Sequence, residues 1–237
     1  MDKKLDNQKI CFIICYNQDV YLEECLVYLQ NLHVPDGFST DLLTISDALS
    51  ITQGYQTAMN ESDAKYKIYM HQDVFILYPY FLDSLIQIFQ LYSRIGMIGM
   101  VGTPTFSSDY IMWSSQLVGS HYKDYYYNGK GVTPCDYRTY RYELNHGLSM
   151  MDVIDGFLMA TAYDIPWRTD LLDGWHFYDV SQSFEFRRRG LKIAVPGQNC
   201  PWCLHDDGVA ASLWDYNKYR KICMEEYPLS LLPPGSH

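Results

Sequence analysis

The chain has 237 residues, 48% hydrophobic and 19% charged, which excludes disorder as its main state and is enough to build a sizeable core. Lys and Arg total 18 against 28 Asp and Glu, and the resulting charge of −10 argues against a nucleic-acid-binding module, since a negative surface repels phosphate backbones. No apolar run approaches the ~20 residues that cross a bilayer, the start Met1–Lys9 is polar, and seven irregularly spaced cysteines suit reduced thiols, so a cytoplasmic location is expected.

Ile10–Cys15 is a continuous apolar run with β-branched residues and predicts a strand buried on both faces. Tyr16-Asn17-Gln18-Asp19 breaks it. A helix is predicted over Val20–Leu32, with Leu22, Leu26, Leu29 and Leu32 on one stripe and Asn17 or Asp19 as its cap. After the turn Pro35-Asp36-Gly37, Asp41–Ile45 predicts a second strand that ends at Ser46-Asp47. Ile51–Glu61 predicts a second helix, and Tyr66–Met70 a third strand that runs into His71-Gln72-Asp73. Pro79 opens an apolar helix, Tyr80–Tyr92, and Ile95–Val101 is a Gly-punctuated fourth strand. This alternation predicts an α/β fold of Rossmann-like layout, a mostly parallel sheet flanked by helices, with ligands at the carboxyl ends of the strands.

The regularity stops after Gly102. Asp109–Glu143 is a Tyr-rich excursion, with Tyr122 and Tyr125–Tyr127 before the turn Asn128-Gly129. A strand resumes over Val153–Ala162. Asp173–Asp179 leads into a helix that ends near Arg189 with Gly190 as its stop, and Leu191–Val195 is a further strand. Trp214–Tyr227 predicts a last helix before a frayed tail, Leu231–Gly235.

Three stretches carry chemistry. Asp73 sits among Tyr69, Met70, Val74, Phe75 and Ile76, so its carboxylate must be solvated, hydrogen-bonded or metal-bound; a turn-capping Asp fits equally well. Asp179 stands where a helix begins, as a general base facing a cleft or simply as an N-cap. His205-Asp206-Asp207 offers an imidazole suited to Mn²⁺, or a surface His with acidic neighbours. Cys200 and Cys203 form a lone CxxC that reads as thiols packed in a turn, and Arg187-Arg188-Arg189 as a solvated helix end. No GxGxxG follows the first strand and no GxxxxGK[ST] occurs, which argues against dinucleotide and Walker-type NTPase folds.

The order of these pieces resembles the family 2-like glycosyltransferases with the GT-A fold. Ile13-Ile14-Cys15-Tyr16-Asn17 followed by Tyr21–Leu26 is similar to that family's opening strand and first helix. Ser46-Asp47 falls at its second-strand Asp, His71-Gln72-Asp73 at its DXD motif with His71 for the first Asp, and Asp155–Ala160 at its acceptor-side strand. Gly174-Trp175-His176-Phe177-Tyr178-Asp179, running on to Arg189-Gly190, resembles a Phe-His-Phe-Tyr-Asp segment of a bacterial subgroup, and His205 falls where such enzymes keep a metal-binding His. The likeness spans roughly residues 9 to 208.

The resemblance implies one domain over 1–237: a nucleotide-binding half at 9–102, an acceptor half at 103–208, and a C-terminal helix and tail at 209–237. It implies Asp179 as catalytic base, with Tyr16, Asn17, Asp47, Gln72 and Asp73 on the nucleotide-sugar and Asp155, Gly156, Trp175 and His176 on the sugar or acceptor side. Asp73, His205 and His71 would hold a divalent metal, Mn²⁺ or Mg²⁺. The implied reaction is inverting transfer from a nucleotide-diphosphate sugar to a glycan or lipid-linked acceptor, with contact to a membrane surface left open. A sugar-nucleotide-binding protein without activity and a metallohydrolase are the alternatives.

Overall fold

Residues 3–123, 138–141, 147–206 and 213–231 are described by the computed structural model. Tyr125–Tyr127, Asn128-Gly129, Asp207 and the tail beyond Leu231 lie outside them.

Ile10, Phe12 and Ile14 of the first strand, β1 (Asp6–Cys15), enter one core cluster, while Cys11 and Ile13 enter another. Alternate side chains of a strand leave on opposite faces, so a run apolar throughout must be covered twice. Helices α1 (Asp19–Gln30) and α3 (Phe81–Leu91) cover the first face with Leu22, Cys25, Leu82, Leu85 and Phe89. Helix α2 (Ile51–Glu61) covers the second with Ile51, Tyr55, Ala58 and Met59, joined there by Tyr178 and Phe186 of α4 (Tyr178–Arg188).

The large sheet has seven strands in the order β2-β1-β3-β11-β5-β12-β9. Here β2 is Ser39–Ile45, β3 Ala64–His71, β5 Ile95–Gly99, β9 Leu148–Met151, β11 Leu158–Thr161 and β12 Lys192–Pro196. Five strands share one direction, and β11 and β9 oppose them. Cys15 pairs with both Ile45 and His71, so β1, β2 and β3 end level and release Tyr16, Ser46-Asp47 and Gln72-Asp73 at one edge. Because β11 is antiparallel, with Leu158 opposite Met70, the turn that precedes it lies at that same edge.

A second sheet runs β10-β6-β7-β13-β4, with β8 (Arg138–Arg141) beside β7. Its strands are β4 (Val74–Ile76), β6 (Val101–Thr103), β7 (Val118–Lys123), β10 (Val153–Ile154) and β13 (Cys203–His205). Two continuous strands expected from sequence are thereby each divided between sheets: Ile95–Val101 into β5 and β6, and Val153–Ala162 into β10 and β11. Asp155-Gly156-Phe157 forms the bend of the second.

Helix α4 is followed by Gly190 at φ +74°, whose N–H donates to Arg187 O while Leu191 N–H donates to Phe186 O, the paired bonds of a Schellman stop. Phe177, Val180 and Phe184 pack with Tyr219, Cys223 and Tyr227 of and after α5 (Tyr216–Glu226) in a third cluster. The arginine run is a solvated end only at Arg188 and Arg189. Arg187 is buried and reaches Asp152 at 3.0 Å, while Arg188 and Arg189 clasp Glu185 and Arg188 also holds Glu226. Neither Asn17 nor Asp19 caps α1. Gln72 takes that place, its Oε1 accepting from Asn17 N and Gln18 N at 3.0 Å each, and its Nε2 donating to Asn17 Oδ1 at 2.7 Å.

Arg187→Met should cost about 3–5 kcal/mol of stability, because it strands the Asp152 carboxylate in a dry place. Arg189→Met should cost below about 1 kcal/mol, since Glu185 keeps two other arginines. Urea unfolding of the two variants measures the contrast; equal losses would refute it.

Candidate active site at the carboxyl edge of the sheet

β3 carries His71 to the edge, and Asp73 follows before β4 turns away. β13 runs antiparallel to β4 with His205 opposite Val74, and Asp206 N–H donates to Asp73 O at 2.8 Å. The second sheet thus delivers a histidine from late in the chain to the end of an early strand. His205 Nε2 lies 3.6 Å from Asp73 Oδ1, and His71 Nδ1 lies 3.9 Å from the same oxygen. Potential ligand atoms of the three residues all fall within 4.8 Å of one another.

Asp73 Oδ1 is sealed from solvent and accepts no hydrogen bond within 3.5 Å from the described residues. A buried carboxylate oxygen in that condition calls for a positive partner. Burial works to raise the Asp73 carboxyl, but His205 and His71 outweigh it and hold it below the ordinary carboxylate range. One carboxylate and two imidazoles suit a divalent transition ion such as Mn²⁺, so these residues fit the metal that the sequence resemblance implies.

Tyr178 sets the rotation of His71. Its hydroxyl is hydrogen-bonded to His71 Nε2, which leaves Nδ1 directed at Asp73. Burial raises the Tyr178 phenol well above its usual value, so the hydroxyl stays neutral. Its ring is fixed among Tyr55, Trp167 and Gly156. A Cβ at Gly156 would stand 2.4 Å from the Tyr178 hydroxyl, so only glycine lets the ring seat. Phe177, immediately before it, has φ +64°, a left-handed conformation uncommon for a bulky residue and typical of places where function fixes the backbone.

Asp179 follows directly. Its Oδ2 accepts from Gly156 N–H at 3.1 Å and its Oδ1 from Val180 N–H at 2.8 Å. Burial and the negative charge of Asp155 push its carboxyl up to about 7. Asp155 accepts from Phe157 N–H at 3.2 Å, and Phe157 O accepts from His71 N–H at 3.0 Å. One bend therefore touches both the His71–Asp73 end and Asp179.

Tyr16 and Asn17 stand at the end of β1, with Tyr16 N–H donating to Ile45 O at 2.9 Å and Asn17 locked to Gln72. Asp47 is exposed at φ +55° between β2 and α2. Trp175 is 52% exposed. Its loop is pinned to the start of α2 by Ile51 N–H on Gly174 O at 3.2 Å and by the Thr52 hydroxyl on Leu172 O. His176 rests edge-on against Tyr216 at 5.6 Å. Two supports have no signature in the sequence: the Tyr178 hydroxyl on His71, and Phe157, whose ring stacks on His205 at 5.1 Å. Each joins residues remote in the chain, so no spacing rule marks them.

Tyr178→Phe keeps the ring and removes the hydroxyl. Mn²⁺ affinity measured by calorimetry should fall about 10–100-fold, as for other partners that orient a ligating His. Unchanged affinity would show that His71 needs no such orientation.

The chain matches the model of a glycosyltransferase-like family over residues 11–227. No curated protein sequence matches it. Among solved structures it is similar to TarS of S. aureus, at 11% identity and TM-score 0.52 over 92% of this chain and 39% of that one. A complex of TarS residues 1–349 with UDP gives 10% identity and TM-score 0.55 over 95% and 67%. The mannosyltransferase PcManGT from Pyrobaculum calidifontis, in complex with GDP-Man and Mn²⁺, gives 12% identity and TM-score 0.53 over 98% and 68%. The chain thus spans well under half of the full TarS chain. Its sheet order, the match over 11–227 and these likenesses agree: the chain belongs to the glycosyltransferase-like family and has the GT-A fold of the family 2-like glycosyltransferases.

Proposed function

We propose that the protein transfers a sugar from a nucleotide-diphosphate donor to an acceptor hydroxyl, with metal assistance and inversion of configuration. The observation that carries this reading is the linkage of two chemistries through one dipeptide. Tyr178 holds His71 beside Asp73 and His205, and the next residue, Asp179, is a carboxyl poised near neutrality. The UDP in TarS and the GDP-Man with Mn²⁺ in PcManGT support a nucleotide-sugar as donor.

Tyr16, Asn17 and Asp47 would hold the nucleoside at the ends of β1 and β2, and Gln72 keeps Asn17 and the start of α1 in place for it. Asp73, His71 and His205 would hold a divalent ion, Mn²⁺ or Mg²⁺, which when bound offsets the charge that builds on the departing diphosphate. Asp179 accepts the proton of the acceptor hydroxyl as its oxygen forms the new bond to the anomeric carbon. The bond to the diphosphate breaks in the same step, and its electron pair leaves with the phosphate oxygen. A single displacement with no covalent sugar–enzyme stage inverts the anomeric centre. Asp155, Gly156, Trp175 and His176 would border the sugar and acceptor, and Gly156 N–H aims the Asp179 carboxylate.

In this reading residues 9–102 carry the nucleotide and 103–208 the acceptor side, within one domain that 209–237 completes. No helix among the described residues is long and apolar enough to cross a membrane. The acceptor is a glycan or a lipid-linked one, the latter met at a membrane surface.

The base works only when deprotonated. With its carboxyl raised to about 7, kcat/KM should climb about tenfold per pH unit below that value and level off above it. Asp179→Asn should lower transfer by about a hundredfold to ten-thousandfold and remove the rise, while nucleotide-sugar binding persists. Unchanged turnover in that variant would take Asp179 out of the reaction.

A further inference from the structure

The edge of the site beyond Asp179 is lined by aromatic rings that the reaction leaves unused. Trp113 is 62% exposed and stacks on Tyr216 with ring centroids 6.0 Å apart and planes at 27°. Tyr216 in turn contacts Phe177 at 4.8 Å and His176 at 5.6 Å. Burial, and after it the Asp179 carboxylate, push the Tyr216 phenol up to about 12. A continuous path of rings therefore runs from His176 and Phe177, just before Tyr178-Asp179, through Tyr216 to the Trp113 indole.

This shelf is rigidly built. Trp113 sits in a short turn, Met112–Ser114, whose Met112 is buried. The Asp109 carboxylate accepts from Ile111 N–H at 2.9 Å, and the Ser115 hydroxyl accepts from Ser107 N–H at 2.9 Å. Arg220 of α5 donates to Asp109 O, and the Tyr110 hydroxyl donates to Tyr227 O at 2.6 Å. Trp113 and Tyr216 thus come from distant segments that are tied together before any ligand arrives. Trp167 is buried at 3% exposure, whereas Trp113, like Trp175 and Trp214, is left in water, and it stacks there on a fixed aromatic support.

We propose that Trp113, backed by Tyr216, is the floor of an acceptor subsite that takes a neutral pyranose ring of a glycan. The C–H face of a pyranose is apolar and slightly positive, which matches the negative face of an indole, and its rim of hydroxyls needs acceptors and donors. His176 and Asp179 supply these on the inner side. The charge around the shelf argues against an anionic lipid surface as the occupant. Asp109, Asp173, Asp179, Asp215, Glu225 and Glu226 lie on the segments that carry these rings against Lys218, Arg220 and Lys221, of which Lys218 is held by Asp173 and Arg220 by Asp109 O. The proposal rests on Asp179 as base, since that places the accepting hydroxyl at the inner end of the shelf.

The test uses the full chain with Mn²⁺ and the nucleotide-sugar it turns over, and a probe panel of methyl pyranosides and neutral disaccharides. Saturation-transfer NMR without donor reads pyranoside binding directly. Wild type should saturate the ring C–H protons of at least one probe. Trp113→Ala should weaken that binding about tenfold and lower the ratio of transfer to donor hydrolysis by a similar factor, with Trp113→Phe recovering part of both. Matching melting curves would exclude a folding defect. Failure of every probe to bind wild type, or equal binding to wild type and Trp113→Ala, overturns the subsite. Loss of phosphatidylcholine–phosphatidylglycerol vesicle binding in Trp113→Ala, with pyranoside binding unchanged, also overturns it and makes the shelf a membrane contact. An absence of donor turnover in wild type counts against the transferase reading instead, and the NMR arm still decides the subsite.

Discussion

One oxygen of the Asp73 carboxylate is closed off from water and faces His205 and His71 at 3.6 and 3.9 Å, and the organisation of the site follows from what that requires. A charge in such a place must be answered by others, and they have to come from elsewhere in the chain. His71 is near in sequence, yet it faces Asp73 only because Tyr178 holds its far nitrogen. His205 arrives on a three-residue strand that pairs with β4 and β7. The small second sheet is thus the device that joins the late part of the chain to the ends of the early strands.

The same economy links the proposed cation site and the proposed base. Gly156 has no side chain, so Tyr178 lies over it; its N–H holds Asp179, and the residue after it turns its carbonyl to His71. Moving any one of these would disturb the other two. The left-handed Phe177 reverses the backbone just before this contact, so that Phe177 and Tyr178 are buried while Trp175 stays exposed. Strain held there by the packing of α4 on α5 gives a preorganised edge rather than one that must assemble around the substrate.

Most of the first hundred residues were legible because β1, β3 and β5 are covered on both faces and the helices on one, which writes continuous runs and helical stripes into the sequence. The break at Met100 was not, since that strand stays apolar through the crossing, and at Asp155-Gly156-Phe157 two non-apolar residues between apolar runs did not mark a change of sheet. Strands such as β4 and β13, three residues each, are too short to show a period. The buried Arg187 was misread for a related reason: three adjacent arginines look alike in sequence, and only the position of Asp152 separates the first from the others. At the site, ordered motifs pointed to Asp73, Asp179 and His205, whereas the hydroxyl, carbonyl and ring that orient them have no signature of their own.

The central claim is that Asp73, His71 and His205 share one divalent ion. Crystals grown with Mn²⁺ and UDP, measured at an energy where manganese scatters anomalously, test it most directly. The account predicts a single strong anomalous peak in coordination contact with an Asp73 oxygen and both imidazoles, with diphosphate oxygens on its open side. A nucleotide bound at the sheet edge with no peak among these three residues, or with the ion held elsewhere, would contradict it.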